Sequence, residues 1–389
     1  MNSDYDVIVV GAGPAGSIAA RTAAEGGLDV LLIEKRPVIG EPIHCGEGIE
    51  KNELIKFIDV DPAWVRAEIS KARIHQPGRP HIELIPDQGK ISGYILDRKL
   101  FDKSLAKAAE SAGAGVLVET RATALMMNDG QVSGIKGVSK GKDFEARAQL
   151  VIAADGLESR LGRLAGIDTT LKPKNLASCA QYLLTDIDVD VSAINFYFGY
   201  PHSPGGYAWA FPKCTHMANV GLGVQASRIK DKKPIEYLQD FVDEQFPGAH
   251  VLETISGGIP IGGIPGRLST GGLMLAGDAA HLVNPLTGAG IANAMHSGRT
   301  AGLIAHEAIK AGDLSAAYLY KYDLAMKKTT DWLKGLYRLY AEMESYDDRK
   351  MGRALSCMLR AMGGSKFYFI LGMLAYYNPS LLRLFRRLG

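Results

Sequence analysis

The feature that most constrains the fold is a glycine-rich turn at the start of the chain. The apolar run at residues 7–10 passes directly into the sequence GAGPAG at 11–16. Gly11 permits a tight turn after a strand, Gly13 lets backbone N–H groups approach a pyrophosphate, and Gly16 lets the following helix pack on the sheet. The pattern therefore predicts a strand, a phosphate-binding turn and a helix whose positive end faces the phosphates.

An acidic residue follows the next apolar run at the spacing that this kind of site requires. Glu34 ends the run at residues 30–33 and lies 18 residues after Gly16. At the tip of a second strand, a carboxylate accepts hydrogen bonds from both hydroxyls of an adenosine ribose and repels a 2′-phosphate. Strand, glycines, helix, strand and acid in this order indicate a dinucleotide site, whereas the glycines alone are a weak signal.

Composition limits the other classes of function. The net charge of +2 gives no electrostatic footprint for nucleic acid, and we expect no nucleic-acid partner. The four cysteines are widely scattered, and no Cys or His spacing predicts a metal site. This cysteine usage favours a reducing, cytoplasmic location.

Hydrophobic periodicity predicts a mixed α/β (α+β) fold with a Rossmann-like domain, a second antiparallel β-sheet substrate domain and a helical C-terminal region. The predicted nucleotide-binding domain is discontinuous and comprises residues 1–75, 96–165 and 265–325. The predicted substrate domain comprises residues 76–95 and 166–264, and the C-terminal region comprises residues 326–389. Strand-like stretches at 72–75 and 81–85 indicate that the chain leaves the first sheet for the second early.

Two further motifs follow the first in order. They are DGLESR at 155–160 and GD at 277–278, the latter followed by a glycine-containing turn at 285–290. The three motifs together resemble those of the FAD-dependent fold shared by para-hydroxybenzoate hydroxylase and its relatives. This resemblance implies bound FAD, with Asp278 accepting from a ribityl hydroxyl. The turn would present helix N-terminal N–H groups near the flavin pyrimidine edge. Asp155 has an alternative as a structural residue that closes its own turn.

Within that superfamily, two motifs indicate a narrower group. PGGYAWAFP at 204–212 resembles a signature of geranylgeranyl reductases, and CGEG at 45–48 resembles the cysteine loop of the archaeal digeranylgeranylglycerophospholipid reductases. The resemblance implies an FAD-dependent oxidoreductase that saturates geranylgeranyl chains of archaeal membrane lipids. Together with the motif glycines, it implies cofactor binding by Gly11, Gly13, Ala15, Gly16, Glu34, Cys45, Gly46, Gly48, Arg98, Ala122, Asp278, Gly288, Gly290 and Ile291.

The aromatic motif predicts the substrate site. Tyr207, Trp209 and Phe211 alternate along a strand and therefore share one face, where they could line an apolar tunnel for a prenyl chain. Their ring faces would favour a cationic transition state. We also assign Pro212 to this site. The alternative is that the aromatic stripe is ordinary core.

Reduction of an isolated alkene requires a proton as well as a hydride, and Cys45 is the candidate catalytic residue. A cysteine is more often a small buried hydrophobe than a reactive group, so both readings stay open. His44 and His281 are secondary candidates for proton relay.

The expected partners are a geranylgeranyl lipid substrate and an electron donor. No second glycine motif of this type occurs, so reduced ferredoxin or NAD(P)H would have to dock transiently. The basic, amphipathic tail at 349–389 suggests peripheral contact with the cytoplasmic face of the membrane, the alternative being a packed terminal helix. Other functions open to this sequence are an FAD-dependent monooxygenase acting on an apolar substrate and a non-catalytic protein that binds FAD and lipid.

Overall fold

The structure of this protein is a computed structural model that describes residues 4–85, 89–198 and 201–343. Strands and helices are numbered in chain order. The helices are α1 (Pro14–Glu25), α2 (Lys51–Leu54), α3 (Arg98–Ser111), α4 (Arg160–Leu164), α5 (Pro234–Gln245), α6 (Ile291–Ala311) and α7 (Ala316–Met343).

An eight-stranded sheet contains the N-terminal glycine motif. Its strands are β1 (Asp4–Val10), β2 (Val30–Ile33), β8 (Gly115–Leu117), β9 (Thr120–Asn128), β10 (Gln131–Ser139), β11 (Lys142–Ala153), β17 (Ser269–Thr270) and β18 (Leu273–Leu275). The strands β18, β11, β1, β2 and β8 pair in parallel in that order. Parallel strands covered by helices are buried on both faces, which is why β1 and β2 are continuous apolar runs. This sheet confirms the predicted Rossmann-like unit.

Helix α6 packs closely against α1, which carries the glycine motif at its start. A Cβ added at Gly298 would lie 2.1 Å from the carbonyl oxygen of Ala15, so no larger residue fits between the two backbones. The buried residues of both helices join those of β1, β2, β11 and β18 in one hydrophobic core. The core therefore fixes α1 and α6 relative to the carboxyl ends of the parallel strands.

The second large sheet is mostly antiparallel. It contains β5 (Lys71–Gln76), β6 (Arg79–Leu84), β12 (Leu176–Thr185), β13 (Ala193–Tyr197), β14 (Ala208–Cys214), β15 (Met217–Gln225) and β16 (His250–Pro260). The order is β16-β12-β15-β14-β13-β5-β6, and only the β13–β5 pair is parallel. Helix α5 packs on one face and shares a core with β12, β14 and β15. This confirms the predicted second sheet.

A small antiparallel sheet joins the two layers. It consists of β3 (Gly48–Glu50), β7 (Gly93–Leu96) and β4 (Val65–Ile69), in that order. Strand β3 begins at the last residue of the CGEG sequence, and β7 leads directly into α3. The cysteine loop is thereby held at the junction between the two large sheets.

The domain boundaries stay a prediction. At one place, a strand belongs to a different sheet from the one that its predicted domain contains. Strand β5 lies in the second sheet, whereas the boundaries assign residues 71–75 to the nucleotide-binding domain. The helical C-terminal region is described only through α7, and the basic tail at 349–389 lies outside the described residues. Among the described residues, no helix is long and apolar enough to cross a membrane.

Candidate active site

The glycine motif forms a cradle at the carboxyl end of β1. Gly11 has φ of 103°, and a Cβ there would lie 2.3 Å from the carbonyl oxygen of Ala154. A Cβ at Gly16 would lie 1.8 Å from the carbonyl oxygen of Gly11, whereas one at Gly13 would meet nothing within 4 Å. Gly13 is also the N-cap of α1 and has no side chain with which to cap it. The first N–H groups of α1 therefore face open space, as an anion site requires.

The Glu34 carboxylate is oriented by the backbone on both sides. Its Oε2 accepts from the Ala12 N–H at 3.0 Å, and its Oε1 accepts from the Arg36 N–H at 3.0 Å. A carboxylate has about four acceptor positions, so two bonds leave it able to accept from ribose hydroxyls. Ala122 lies two residues after Thr120, whose N–H donates to the Glu34 carbonyl, so its backbone is close to this end of the site.

A second helix N-terminus lies across the cleft from the first motif. Gly290 is the N-cap of α6, and Ile291 is the first residue of the helix. A Cβ at Gly290 would lie 3.4 Å from an oxygen of Asp278, and Gly288 in the same turn has φ of 65°. A Cβ at Gly277 would lie 2.8 Å from the Ala15 side chain, which brings Asp278 beside α1. The two motifs, far apart in the sequence, thus form one cleft.

Arg98 is the cation within this cleft. Its guanidinium makes a bidentate pair with Asp102, one turn further along α3, with both N–O distances at 2.8 Å. Burial would lower the pKa of Arg98, but Asp102 and Cys45 raise it overall, so the side chain stays charged. Burial raises the pKa of Asp278, and Arg98 partly offsets that rise.

The cysteine loop lies between this cleft and the second sheet. A Cβ at Gly46 would lie 3.1 Å from the Phe211 ring and 3.4 Å from the Trp209 indole nitrogen. One at Gly48 would lie 3.5 Å from Phe211, so both glycines allow the loop to approach the aromatic strand. Burial raises the pKa of the Cys45 thiol, and Arg98 opposes that effect. The thiol is therefore protonated at neutral pH.

The aromatic side chains form one cluster on the face of β13 and β14 that meets the cysteine loop. Phe196 packs edge-on against Tyr207 at 5.6 Å and against Phe211 at 5.5 Å between ring centroids, and Trp209 lies 5.9 Å from Tyr207. Phe198 extends the cluster at 5.2 Å from Tyr207. The Tyr207 hydroxyl donates to the Thr287 carbonyl oxygen at 2.6 Å, next to Gly288. The cluster thus reaches both glycine-containing loops of the first domain.

Pro212 follows Phe211 on the same strand, and its assignment to the substrate site stays a prediction. Side chains alternate along β14, so Pro212 shares the face of Ala208 and Ala210 rather than that of Phe211. Ala208 and Ala210 are buried in the core beneath α5. Strand alternation therefore directs the Pro212 side chain away from the face of Phe211.

The two histidines are held by hydrogen bonds that limit a relay role. His44 Nδ1 lies 2.7 Å from the Ser256 carbonyl oxygen, so it donates there, and Nε2 is left to accept from Arg36 at 3.1 Å. His281 donates from Nδ1 to the Gly263 carbonyl oxygen at 2.6 Å. Burial lowers the pKa of His281, which keeps it neutral. In both histidines Nδ1 is therefore engaged by a backbone carbonyl oxygen.

Asp155 closes its own turn, as the structural alternative expects. Its Oδ2 accepts from the Leu161 N–H at 3.1 Å. Its Oδ1 is buried and has no hydrogen-bond partner among the described residues. Burial raises the pKa of this carboxyl group. The residue follows Ala154, which contacts the glycine cradle, so the orphaned oxygen lies near the predicted nucleotide site.

Sequence reasoning missed the polar residues that hold the cysteine loop from the second sheet. Gln181 donates to the Cys45 carbonyl oxygen at 3.1 Å, and Lys213 pairs with the buried carboxylate of Glu47. Lys213 comes directly after the aromatic motif, and Glu47 lies within CGEG. Nothing in either segment alone indicates that the two meet, because the contact joins residues 166 positions apart.

The described residues fit FAD. Two helix N-termini with glycine N-caps, an open position at Gly13 and an oriented Glu34 provide for a pyrophosphate and an adenosine ribose. The unpartnered oxygen of Asp155 and the burial of Asp278 indicate a polar ligand in the cleft. No group of three or more His, Cys, Asp or Glu side chains suited to a metal occurs in the described part of the chain. The fold and the site define an FAD-dependent oxidoreductase.

Comparisons with known proteins agree with this class. Residues 6–182 match the family model described as FAD dependent oxidoreductase, and residues 175–259 match the geranylgeranyl reductase catalytic domain. A digeranylgeranylglycerophospholipid reductase from Methanocella arvoryzae is 53% identical over 329 residues, covering 84% of each chain. Another from Methanoculleus marisnigri is 43% identical over 389 residues, covering 98% of this chain and 97% of the relative. The chain belongs to the digeranylgeranylglycerophospholipid reductase family.

Solved structures extend the comparison to the fold. The crystal structure of a geranylgeranyl bacteriochlorophyll reductase-like protein from Thermoplasma acidophilum superimposes with a TM-score of 0.93 at 35% identity, with all of each chain covered. A p-nitrophenol 4-monooxygenase from Pseudomonas putida has a TM-score of 0.72 at 16% identity, which shows the fold alone. The resemblance stated from the sequence is thereby confirmed.

Proposed function

We propose that this protein saturates the C=C double bonds of geranylgeranyl chains in a digeranylgeranylglycerophospholipid. The observation that supports this best is the contact between the Phe196–Tyr207–Trp209–Phe211 cluster and the glycines that flank Cys45. An apolar wall beside the cofactor cleft suits a hydrocarbon substrate and suits a polar one poorly. The names of the relatives support the same substrate class.

The proposed division of roles follows from the geometry. FAD, when bound and reduced, would supply the hydride. The cradle residues Gly11, Gly13 and Gly16 with Glu34 would bind its adenosine diphosphate part, and Asp278 with the α6 N-terminus would bind the flavin part. Cys45, Gly46, Gly48 and Arg98 would line the flavin on the side of the second sheet.

Protonation of the alkene would build positive charge on the tertiary carbon. The ring faces of Tyr207, Trp209 and Phe211 would stabilise that charge, since aromatic rings attract cations at their faces. Cys45 is the proposed proton donor because burial keeps its thiol protonated while Gly46 and Gly48 leave the loop close to the aromatic wall. Ferredoxin or NAD(P)H is the proposed electron source, and the basic tail is proposed to contact the membrane that holds the substrate.

The test is anaerobic mixing of dithionite-reduced protein with a geranylgeranyl lipid, followed by mass spectrometry of the lipid. Successive gains of two mass units are expected, one for each saturated double bond. Hydroxylated or epoxidised lipid, formed only when oxygen is admitted, would identify a monooxygenase instead. Flavin that is never reoxidised by the lipid would indicate a binding protein without this activity. Cys45→Ser is expected to slow the reaction strongly, and an unchanged rate would remove the thiol from the mechanism.

A further inference from the structure

Glu47 is a buried acid in an unusual backbone conformation at the centre of the cysteine loop. Its side chain is 1% exposed, and its φ is 73°, in the left-handed region. That conformation is disfavoured for a residue with a Cβ, and such a residue persists only where its surroundings hold it. A glycine would fit this backbone more readily, so the carboxylate must be used by the fold or by the site.

The carboxylate is bound by partners from both domains. Its Oε1 accepts from the Arg98 N–H at 2.8 Å, at the start of α3. Its Oε2 accepts from the Asn219 amide of β15 at 2.5 Å and from the Lys213 ammonium group of β14. Lys213 is 11% exposed and also donates to the Leu96 carbonyl oxygen at 2.9 Å. The ion pair therefore links the cysteine loop, β7 and the second sheet at one point.

A second set of bonds fixes the same loop next to Cys45 itself. Gln181 of β12 donates to the Cys45 carbonyl oxygen at 3.1 Å, and its own oxygen accepts from the Trp209 indole N–H at 3.0 Å. The Glu47 N–H donates to the Cys45 sulfur at 3.1 Å. Strands β12, β14 and β15 thus each contribute one polar side chain that binds the cysteine loop. The Cys45 sulfur is hydrogen-bonded directly to Glu47, the acidic partner of the ion pair.

We propose that the Glu47–Lys213 ion pair is a positioning device that holds the Cys45 thiol against the aromatic wall. The catalytic role of the thiol rests on the proposed function, whereas the position of the thiol can be measured without it. A buried ion pair contributes little net stability compared with well-packed apolar residues, so its presence at this junction is better explained by specificity of position. A hydrophobic pair would bury the loop equally well without fixing its register.

The ion pair also balances the charges around the sulfur. Burial is the largest cause of the rise in the Cys45 pKa; Arg98 and the Glu47 N–H lower that pKa, and the Glu47 carboxylate raises it. The Lys213 ammonium group neutralises the Glu47 carboxylate, so the Cys45 thiol lies beside a paired charge and not beside an isolated anion. Loss of either partner would leave a buried charge without compensation and would drive the loop toward solvent.

The first experiment measures the alkylation of individual cysteines by iodoacetamide in the FAD-loaded full chain, using mass spectrometry. Cys179 in β12 is the internal reference for the integrity of the second sheet, because burial raises its pKa to about 12. In Lys213→Met, the ratio of the Cys45 alkylation rate to the Cys179 alkylation rate is expected to rise about tenfold. A change of this size corresponds to the loss of one buried hydrogen bond to a charged group. An unchanged ratio would overturn the proposal.

The matched control is Lys136→Met. Lys136 pairs with Glu145 on the surface, where both side chains are more than half exposed, so the same change should leave the ratio within about twofold. A rise of equal size in the control would show that the effect does not come from the buried pair and would also overturn the proposal.

A double variant distinguishes an effect on the position of the Cys45 thiol from an effect on the stability of the protein. It also provides the test if Lys213→Met does not fold. Glu47→Gln combined with Lys213→Met leaves no unpaired charge, so the melting temperature is expected to recover toward the parent value. The Cys45 to Cys179 ratio is nevertheless expected to stay at least about threefold above the parent, because neutral hydrogen bonds hold the loop less tightly than charged ones. Return of this ratio to the parent value together with the melting temperature would show a purely stabilising pair.

Lipid turnover gives a separate readout. The double variant is expected to lower kcat about tenfold with little change in KM, because the thiol and not the apolar wall is displaced. A rise in KM with kcat unchanged would contradict the proposal. If the parent protein reduces no lipid while the alkylation ratio responds as expected, the proposed function fails and the positioning role stands.

Discussion

The two sides of the active-site cleft are held in different ways. The nucleotide cradle is a backbone structure in which Gly11 and Gly16 allow contacts that no side chain could share. The cysteine loop is held by side chains, namely Gln181, Lys213 and Asn219, that reach it from a separate sheet. The first arrangement is a short turn packed against the backbone at Ala154 and tolerates no change of shape, whereas the second joins side chains of several strands and can be altered in steps.

The largest effect is expected from breaking the backbone side of this comparison. In Gly16→Ala, the added Cβ would lie 1.8 Å from the Gly11 carbonyl oxygen, so α1 must move away from the cradle. We expect FAD affinity to fall at least about a hundredfold, equivalent to loss of one or two charge-assisted hydrogen bonds, or folding to fail. The measurement is FAD content per mole of purified protein. Gly266→Ala, where a Cβ would meet nothing within 4 Å, should retain the cofactor.

Trp209→Ala is expected to act on the side-chain half of the comparison. It removes a buried ring from the aromatic wall and leaves the Gln181 oxygen without its donor, so kcat/KM for the lipid should fall about thirtyfold while FAD stays bound. Steady-state kinetics and the flavin absorbance spectrum test both parts. The control is Trp332→Ala, an exposed tryptophan of α7, whose kinetics should match the parent. Loss of FAD from Trp209→Ala would show that the two sides are not separable.

The pH dependence of Cys45 alkylation sharpens the comparison further. Burial disfavours the thiolate, so the pKa of Cys45 is raised and its rate of alkylation should reach half-maximum at a higher pH than that of glutathione. At pH 8 the alkylation of Cys45 should therefore be slower than that of glutathione. Alkylation is measured by mass spectrometry from pH 7 to 10. A midpoint below that of glutathione would contradict the protonated thiol.

The smallest effect is expected at Pro212. Strand alternation places this residue on the face of Ala208 and Ala210, which pack beneath α5, and not on the face of Phe211. Pro212→Ala should therefore change kcat/KM by less than about twofold, with any loss appearing as a small decrease in melting temperature. Phe211→Ala, one residue earlier and on the opposite face, is the matched comparison and should lower kcat/KM strongly. Equal losses in both would mean that strand alternation does not separate the two residues.

The sequence was sufficient for the elements whose physics is local. The turn at residues 11–16, the strand before Glu34 and the helix entered at Gly290 were all predicted from glycine spacing and apolar runs, and the structure contains each of them. The alternation of Tyr207, Trp209 and Phe211 likewise predicted a shared face, and their ring contacts confirm it.

The parts that were not predicted depend on contacts between distant segments. The partner of Glu47 is set by how β14 crosses the cysteine loop, which no periodicity encodes. The stretch at 72–75 predicts that the chain enters the second sheet there, but the parallel pairing of β5 with β13, more than a hundred residues later, is not predicted. Pro212 was assigned by its motif, and only its position on the strand shows which face it occupies. Whether each predicted residue contacts FAD stays a prediction.

Two tyrosines of α7 bear on movement between the two domains. The Tyr337 hydroxyl donates to the carbonyl oxygens of His281 and Val283 in the first domain, and the Tyr340 hydroxyl donates to that of Gly205, beside the aromatic strand. Helix α7 is thereby hydrogen-bonded to both domains, and separating the two domains would break at least one of these hydrogen bonds. A movement that separates the cofactor layer from the aromatic strand would therefore have to displace α7 as well.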